Sequence, residues 1–491
     1  MVTNARTAAA LALVLAAAGC RTTEEVLRDY EANLVAGGYA AAVPEVSELA
    51  GKEDDTQQLW RLLAGAANYM ADDKANALKQ FDAAEEVFRK NDQRGVFSSM
   101  GTQTLAMMTN DRTIPYDGGG LDRIFTCIYR AIDFMCGGDK DLARVELNRA
   151  AQYQANWLYD RRRDIDAAQK ELDSAAAEYQ KKEGQANATS QADRRKTTGS
   201  VIADSGFAAQ IKEHCGFDPS SSGDLDTLPK AAYMNQYMLH LAGVFRWLDG
   251  DSPLNLLRDA AAYSPGNPVA RRDNAEMSAG RSPRNQVWIW VEDGLCPCRD
   301  EWRLDLPLFL IPYAGEYVMY AGMAFPVLRE RGYAAASWSV SAGGGTSQFA
   351  ELASIDRLVR TEYDVYMRGA LTREITRTLV KIGVQVALGA AAAAAERRNG
   401  SNSGDYLALK LSQIGVATWA ATTTAADLRS WTALPKTVKV ARVDRPADGR
   451  ISVFAGGQPV AETVVPEGNA LIFVRKPSPV APAVVKVATF P

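Results

Sequence analysis

Apolar residues recur at spacings of three and four along residues 24–183, which is the pattern of amphipathic helices. The second half of the chain differs, because short runs of β-prone residues such as "VWIWV" (287–291) end at turn residues such as Asp293-Gly294. We therefore predict an α+β fold that is mainly helical. Its helical part should come first and should be followed by a small β-rich domain.

Three segments of the helical half share one local pattern, in which a first helix and a Gly-Asp or similar turn precede a helix with alternating small and large residues. Small residues let two helices approach closely, and the large residue fills the groove between them. Such pairs stack because one pair cannot bury its apolar face alone, so the pattern predicts a tetratricopeptide-like solenoid, with a generic helical bundle as the alternative. The predicted packing residues are Ala77, Phe81, Ala84, Gly138, Ala143, Leu147, Ala150, Leu257, Ala260 and Pro265.

A long helix is predicted near 153–183, since Leu158, Ile165, Leu172 and Tyr179 recur every seven residues. This spacing is similar to a coiled-coil seam, although an amphipathic helix of the solenoid would show it too. The stretch 184–206 is polar and rich in Ser, Thr and Gly, which predicts a surface loop.

A helical hairpin interrupts the β-rich half, with an Ala-rich first helix that runs through 379–395. A transmembrane interpretation would have to place Lys381 within a span of minimal length, so a buried hairpin is the preferred prediction. The strand "PKTVKVARV" alternates strictly, which predicts one solvent-facing side. The predicted organisation is a leader at 1–19, helical repeats at 20–280, β-rich segments at 281–369 and 433–491, and the hairpin at 370–432.

The N-terminal stretch "LALVLAAAGCRTTEE" indicates an export signal, because a short apolar run follows Arg6 and ends in small residues before Cys20. It resembles the lipobox of bacterial lipoproteins, although Ala17 stands where Leu is usual. The resemblance implies cleavage before Cys20 and acylation of that residue, for example by palmitate, which together give stable anchoring. Arg21 replaces the Asp of the inner-membrane retention signal, so we expect a periplasm-facing location at the outer membrane. An ordinary cleaved signal peptide is the alternative.

Composition narrows the chemistry that the chain can perform. A net charge of −4 and the lack of a basic, aromatic-interleaved stripe argue against nucleic-acid binding. Two histidines make a histidine-based metal or acid–base site improbable, and we expect no metal, no cofactor and no catalytic residue. The chain offers no basis for pairing its remaining cysteines, which are Cys127, Cys136, Cys215, Cys296 and Cys298.

Two polar pairs are candidates for a site. Glu292-Asp293 could form a carboxylate pair, but a turn role at the end of a strand is favoured. Arg429 and Trp431 are a possible interface, because Arg and Trp are common interface anchors. The favoured interpretation is that Trp431 packs the hairpin onto the β-domain.

Three motifs together resemble one family, namely "RAIDFMCGGDKDLARVELNRAAQYQ", "VWIWVEDGLCP" and "AADLRSWTALPKTV". The chain resembles a family of bacterial lipoproteins with tetratricopeptide-like repeats, often encoded near homologues of the lipoprotein activators of penicillin-binding proteins. The family has no established activity, so the resemblance supports architecture and location.

These patterns predict a membrane-anchored periplasmic scaffold that binds other cell-envelope proteins and performs no chemistry. One alternative is a structural subunit of an oligomeric envelope complex, in which the protein would associate with itself. A less favoured alternative is an envelope hydrolase, since no nucleophile motif stands in the chain.

Overall fold

Among the described residues, all regular secondary structure up to Ser278 is helical, and the first strand begins at Gln286. The computed structural model describes residues 21–94, 110–184, 201–202, 204–219, 228–305 and 318–490. Over these residues the protein is a mixed α+β fold and mainly helical, as predicted. The first eleven α-helices are α1 (Thr23–Ala36), α2 (Val43–Ala50), α3 (Gln57–Met70), α4 (Lys74–Arg94), α5 (Gly120–Cys136), α6 (Lys140–Gly184), α7 (Ser205–Cys215), α8 (Lys230–Tyr233), α9 (Gln236–Leu248), α10 (Leu254–Tyr263) and α11 (Pro268–Ser278).

The first helix shows how local chemistry sets a boundary. The Thr22 hydroxyl accepts a hydrogen bond from the Glu25 amide at 3.2 Å, and the Glu25 carboxylate accepts one from the Thr22 amide at 2.9 Å. This reciprocal cap satisfies amides that the first turn leaves without partners. The helix ends at Gly37, whose φ of 80° lies in the left-handed region that glycine adopts without strain.

Each predicted repeat segment is a helix hairpin. The pairs are α3 with α4, α5 with α6, and α9 with α10. Gly138 has a φ of 82° between α5 and α6, and the Asp139 carboxylate accepts a hydrogen bond from the Leu142 amide at 3.0 Å. The long helix predicted near 153–183 is longer than expected, because α6 continues without a break from the second helix of its hairpin.

In the part of the chain that the structure describes, the strands form three sheets. They are β1 (Gln286–Asp293), β2 (Cys298–Asp305), β3 (Gly322–Arg329), β4 (Trp338–Ala342), β5 (Gly345–Gln348), β6 (Ala350–Ser354), β7 (Thr437–Asp444), β8 (Arg450–Ala455), β9 (Gln458–Val464), β10 (Asn469–Lys476) and β11 (Val484–Phe490). The largest sheet has the order β11-β10-β1-β7-β6, with β1 and β10 parallel and the other pairs antiparallel. A four-stranded sheet has the order β5-β4-β8-β9, and β2 pairs with β3.

Strand β1 lies between two cores, since every residue of it is buried. Trp288 and Trp290 belong to the core shared with the helices, whereas Val287, Ile289 and Val291 belong to the core shared with the four-stranded sheet. This division follows from the two-residue period of a strand. The five-stranded sheet is therefore the middle layer between the helices and the second sheet.

The helices pack directly on the five-stranded sheet. The ring of Phe245 on α9 lies 5.9 Å from the ring of Phe490 on β11. Lys486 on β11 forms an ion pair with the buried Asp133 of α5 at 2.8 Å. One side of these helix pairs is therefore covered by the protein's own sheet.

Residues near the two ends of the described chain are in contact. The Tyr39 hydroxyl donates a hydrogen bond to the carbonyl of Pro482 at 2.6 Å, and the Ser478 hydroxyl donates one to the carbonyl of Val35 at 2.6 Å. The segment between β10 and β11 thus holds the end of α1.

The two remaining helices, α12 (Ile355–Asn399) and α13 (Gly404–Thr423), form the hairpin between β6 and β7. The predicted boundary at residue 370 is wrong, because α12 begins directly after β6, where the Ser354 hydroxyl caps the amide of Arg357. Residues 355–369 are therefore helical and pack α12 against the body of the fold.

The solvent-facing side predicted for β7 is also wrong. Val438 and Val440 lie in the core with the helices, and Ala441 lies in the core with the four-stranded sheet. The charged residues Lys439 and Arg442 lie on opposite sides of the strand, where Lys439 pairs with the buried Asp293 and Arg442 with the buried Asp273. Each side of β7 therefore combines core residues with an ion pair.

Candidate functional site

The predicted site residues fall into three groups with different outcomes. Cys20 and the leader lie outside the described residues. The repeat-packing residues lie in the helix hairpins, where Ala77, Phe81 and Ala84 are fully buried. A Cβ atom on Gly243 would stand 2.6 Å from the Leu257 side chain, so this hairpin depends on the same close approach. The predicted packing residues within the helices are therefore part of the core, whereas Gly138 and Pro265 are exposed in turns.

Arg429 and Trp431 do not form an exposed interface, since only 4% and 3% of them are accessible to solvent. The Arg429 guanidinium donates hydrogen bonds to the carbonyls of Asp55, Asp111 and Ile114 and pairs with the Asp427 carboxylate at 2.8 Å. A guanidinium with five donors can tie several chain segments together in this way. Arg429 is therefore not an exposed interface anchor, because its hydrogen-bond and ion-pair partners lie within the fold.

Trp431 packs on the helices. Its ring lies 6.0 Å from the rings of both Phe81 on α4 and Tyr129 on α5. It therefore joins the segment after the hairpin to the first two helix pairs. The prediction that Trp431 packs the hairpin onto the β-domain did not include these contacts with the helices.

A buried carboxylate, Glu292, lies at the junction of helices and sheet. It accepts hydrogen bonds from the hydroxyls of Tyr129 and Tyr237, both at 3.1 Å, and Arg475 approaches it at 3.6 Å. Burial raises the pKa of Glu292, while Arg475 and the two tyrosines act in the opposite direction. An acid with a raised pKa beside tyrosines is a chemical arrangement suited to proton transfer.

This carboxylate is sealed from solvent, because Glu292 is 3% exposed and the neighbouring gap beside Tyr69 and Arg475 leaves no room for a water molecule. Arg475 also donates to the carbonyls of Gly294 and Ala433, at 2.6 and 2.9 Å. The arrangement therefore ties the helices to β1 and β10, as a buried network with all members satisfied.

A second network surrounds His240. The indole of Trp290 donates to His240 Nδ1 at 3.2 Å, so the ring hydrogen sits on Nε2, which donates to Asp273 at 2.8 Å. Asp273 also accepts from Trp288 at 2.9 Å and pairs with Arg442. Burial raises the pKa of Asp273, but the bonds from His240, Arg442 and Trp288 outweigh it and lower that pKa. Both His240 and Asp273 are inaccessible, so this network also joins helix to sheet.

Other chemical candidates are weak within the described ranges. The five cysteines there are free thiols, and no group of three or more His, Cys, Asp or Glu side chains is placed to hold a metal ion. An open depression of about 350 Å³ lies between the β4–β5 and β7–β8 turns, with Asp448 and Arg450 as its charged residues. It has no buried polar group directed into it.

The most unusual surface is the outer side of the hairpin, which sequence reasoning did not find. On α13, Leu407, Leu411 and Ile414 are 50%, 69% and 49% exposed, while Gln413 and Ala417 are buried. The prediction of a buried hairpin is therefore wrong for α13. The signal was present in the spacing of four and three between these apolar residues, but an apolar stripe alone does not show whether a partner covers it.

The helix α12 is the one described helix long and apolar enough to cross a membrane, judged by length and composition. Within its apolar window, 39% of the residues are buried in the fold. A core helix of a soluble protein meets the same criteria, so this is weak evidence for a membrane span.

The root of the hairpin is fixed by ion pairs and lies beside the start of the described chain. Asp111 pairs with Arg373 at 2.6 Å and with Arg377, which lower the pKa of this carboxyl despite its burial. The neighbouring Arg112 donates to the carbonyl of Ala426 at 2.8 Å and pairs with Glu24 at 2.7 Å. Glu24 therefore lies close to the end of α13.

Comparison with known proteins gives no relative, since no protein-family model, curated protein or solved structure matches the chain.

Proposed function

We propose that this protein is a lipoprotein anchored through Cys20 on the periplasmic side of the outer membrane, where it serves as a non-catalytic scaffold for other envelope proteins. The observation that carries the proposal is the use of its acid–base groups. Glu292, Asp273 and His240 are fully engaged in sealed networks between helices and sheet. Buried groups whose hydrogen bonds are all satisfied stabilise the fold, so an exposed surface is the more suitable place for function.

The three helix hairpins support a tetratricopeptide-like arrangement of the first half. Two of them have a close contact of a small residue with a large one, Gly65 with Phe81 and Gly243 with Leu257. The sheet occupies one side of α5 and α9, so a partner would bind on the opposite, solvent-facing side of the helix pairs. Among the exposed residues of the helix pairs are Leu142, Val145 and Tyr159 on α6, which are 44%, 46% and 69% exposed. Exposed apolar and aromatic side chains on one helix are suited to binding a partner.

The anchor is tested by labelling cells with palmitate. Wild-type chain should incorporate the label and Cys20→Ala should not, because the acylated atoms belong to that residue. Undiminished labelling of Cys20→Ala would reject Cys20 as the anchor.

The scaffold is tested by placing a photo-crosslinking residue at Val145 and, as a matched control, at Val464, which is 64% exposed on β9. We expect one discrete protein adduct at position 145 and none at 464, and Leu142→Asp should remove the adduct. Adducts of equal yield at both positions, or none at 145, would argue against a binding surface on α6.

The alternative of a structural subunit in an oligomeric envelope complex is favoured by one observation, the exposed apolar side of α13. Light scattering on the mature chain with Cys20→Ala distinguishes this alternative from the scaffold, because an oligomeric subunit would give a discrete multiple of the monomer mass.

A further inference from the structure

We propose that the outer side of the α12–α13 hairpin lies in the surface of the lipid bilayer, parallel to it, as a second membrane contact beside the acylated Cys20. This inference rests on the proposed function, since it takes the anchored end of the chain as its starting point. We call the exposed apolar side chains of the hairpin the lipid face. It consists of Leu407, Leu411 and Ile414 on α13 with Val384, Ala387 and Ala391 on α12.

The lipid face is continuous on α13. Its three large residues follow one another at spacings of four and three, so they lie on the same side of the helix. Gln413, Ala417 and Ala420 lie on a different side of the helix and are buried. The hairpin thus has a packed inner side and an apolar outer side, which is the division of an interfacial amphipathic helix with its polar groups turned inward.

Charge is almost absent from this part of the hairpin. Residues 382–395 carry no charged side chain, and Lys410 is the one charged residue in 406–420. The Lys410 ammonium group donates to the side-chain oxygen of the buried Gln413 at 3.4 Å, so this charge is turned toward the inner side of the hairpin. Charge returns only at the tip, where Arg397 and Arg398 are exposed and can reach lipid phosphates.

Aromatic residues border the lipid face on α13. Tyr406 precedes it and Trp419 follows it, and both are partly exposed. Tyrosine and tryptophan prefer the boundary between headgroups and acyl chains, because one part of the ring system is apolar and another forms hydrogen bonds. Their positions suit a helix that lies at this boundary.

The position of the chain start favours lipid over a protein as the occupant. Glu24 pairs with Arg112, whose guanidinium donates to the carbonyl of Ala426 just after α13. Asn110 donates to the carbonyl of Thr423 at 3.1 Å, so the same loop also holds the last turn of α13. Acyl chains on Cys20 would therefore hold the root of the hairpin at the bilayer surface, where the lipid face can reach it.

A contact parallel to the membrane fits the hairpin better than a span. The loop and helix ends between Glu396 and Asp405 contain charged and amide side chains, and a span would have to move all of them across the bilayer. The buried Gln413 side chain donates to the Gln385 carbonyl at 3.4 Å, and Lys381 donates to the Thr423 hydroxyl at 3.0 Å. The buried Gln385 side chain donates to the carbonyl of Tyr320 at 2.6 Å. The polar groups of the hairpin can thus stay within protein or in water while the lipid face contacts acyl chains.

The test uses the mature chain from residue 20 with Cys20→Ala, which has neither the leader nor acyl groups and contains every described residue. Flotation with vesicles of phosphatidylcholine and phosphatidylglycerol in equal amounts measures its affinity for lipid. We expect measurable binding that falls by about tenfold or more when Leu411 and Ile414 are both replaced by Asp. The matched control replaces Val464 and Val480 by Asp in the same way. These two residues lie outside the hairpin and are 64% and 76% exposed, and this variant should bind lipid as the parent does.

Three results would overturn the proposal: no flotation of the parent, equal flotation of the Leu411→Asp/Ile414→Asp variant with an unchanged thermal melt, or a parent that is dimeric in light scattering and monomeric after these substitutions. The last result would assign the face to a second copy. Palmitate labelling of the wild type reports on Cys20 separately. If the wild type is labelled with palmitate but the parent does not float, only the lipid face is rejected. If the wild type is not labelled but the parent floats in a way that depends on Leu411, only the anchor is rejected.

Discussion

The ring of Phe81 lies directly on the backbone of Gly65, so that a Cβ atom at residue 65 would stand 2.6 Å from ring atom Cδ1. This contact sets the distance between α3 and α4. It explains why a glycine is placed in the middle of a helix, where it otherwise costs stability relative to alanine.

We expect Gly65→Ala to lower the free energy of unfolding by about 1–3 kcal/mol, because the added methyl group would collide with the fully buried Phe81 ring. The matched control is Gly415→Ala on α13, where nothing lies within 4 Å of the added methyl group. This control should gain about 0.5–1 kcal/mol from helix propensity. Urea denaturation of both variants measures the difference, and a stabilising effect of Gly65→Ala would contradict the packing argument.

Arg429 should behave as a structural residue. We expect Arg429→Lys to lower the free energy of unfolding by about 2–4 kcal/mol, since an ammonium group cannot serve three carbonyls and Asp427 from one position. The control Arg450→Lys changes an exposed pair with Glu462 and should stay within about 0.5 kcal/mol. If both variants melt alike, Arg429 does not hold these segments together.

Asp122 should make stability depend on pH. Burial raises its pKa from 3.8 to about 6, and the neighbouring Glu362 adds to the rise although bonds from Tyr116 and Gly119 oppose it. The folded state therefore binds this proton more tightly than the unfolded state, and stability falls as pH rises from about 4 to about 6.

Asp122→Asn keeps an oxygen acceptor for the Tyr116 hydroxyl and the Gly119 amide but cannot ionise. Relative to wild type it should be more stable by about 2–3 kcal/mol at pH 8, with the advantage disappearing below about pH 4. Thermal unfolding of both chains between pH 4 and 8 tests this, and a difference that does not change with pH would refute it.

The five described cysteines should be unreactive thiols. Burial raises the pKa of Cys136, Cys215 and Cys296 to about 12, so almost no thiolate is present at pH 8. We expect a thiol reagent to modify none of them rapidly in the native mature chain with Cys20→Ala, and to modify five after denaturation without a reductant. Fewer than five modified thiols in the denatured chain would indicate a disulfide.

The helix hairpins could be predicted because their determinants are local. The spacing of Ala77, Phe81 and Ala84 and the turn at Gly138 each act within a few residues, and the structure places them as expected. The start of α12 was missed because the preceding strand β6 carries no β-prone run and passes directly into a helix.

Long-range pairing could not be predicted. The parallel contact of β1 with β10 aligns Trp290 with Phe473, and nothing near either strand specifies the other. For the same reason the burial of Arg429 was missed, because its carbonyl partners lie more than 300 residues earlier in the chain. The lipid face was missed because exposure depends on what surrounds a helix, whereas periodicity describes the helix alone.

The hydrogen bonds of Tyr39 to Pro482 and of Ser478 to Val35 have a consequence for biogenesis. Because the stretch around residues 478–490 also completes the sheet beneath α5 and α9, the earliest helices cannot reach their final surroundings until nearly all of the polypeptide has been synthesised. Because these contacts form late, the nascent chain stays without its final tertiary packing for a long time. Under the export that we propose for this protein, a late-folding chain is an advantage, because it can pass through a narrow channel before it becomes rigid.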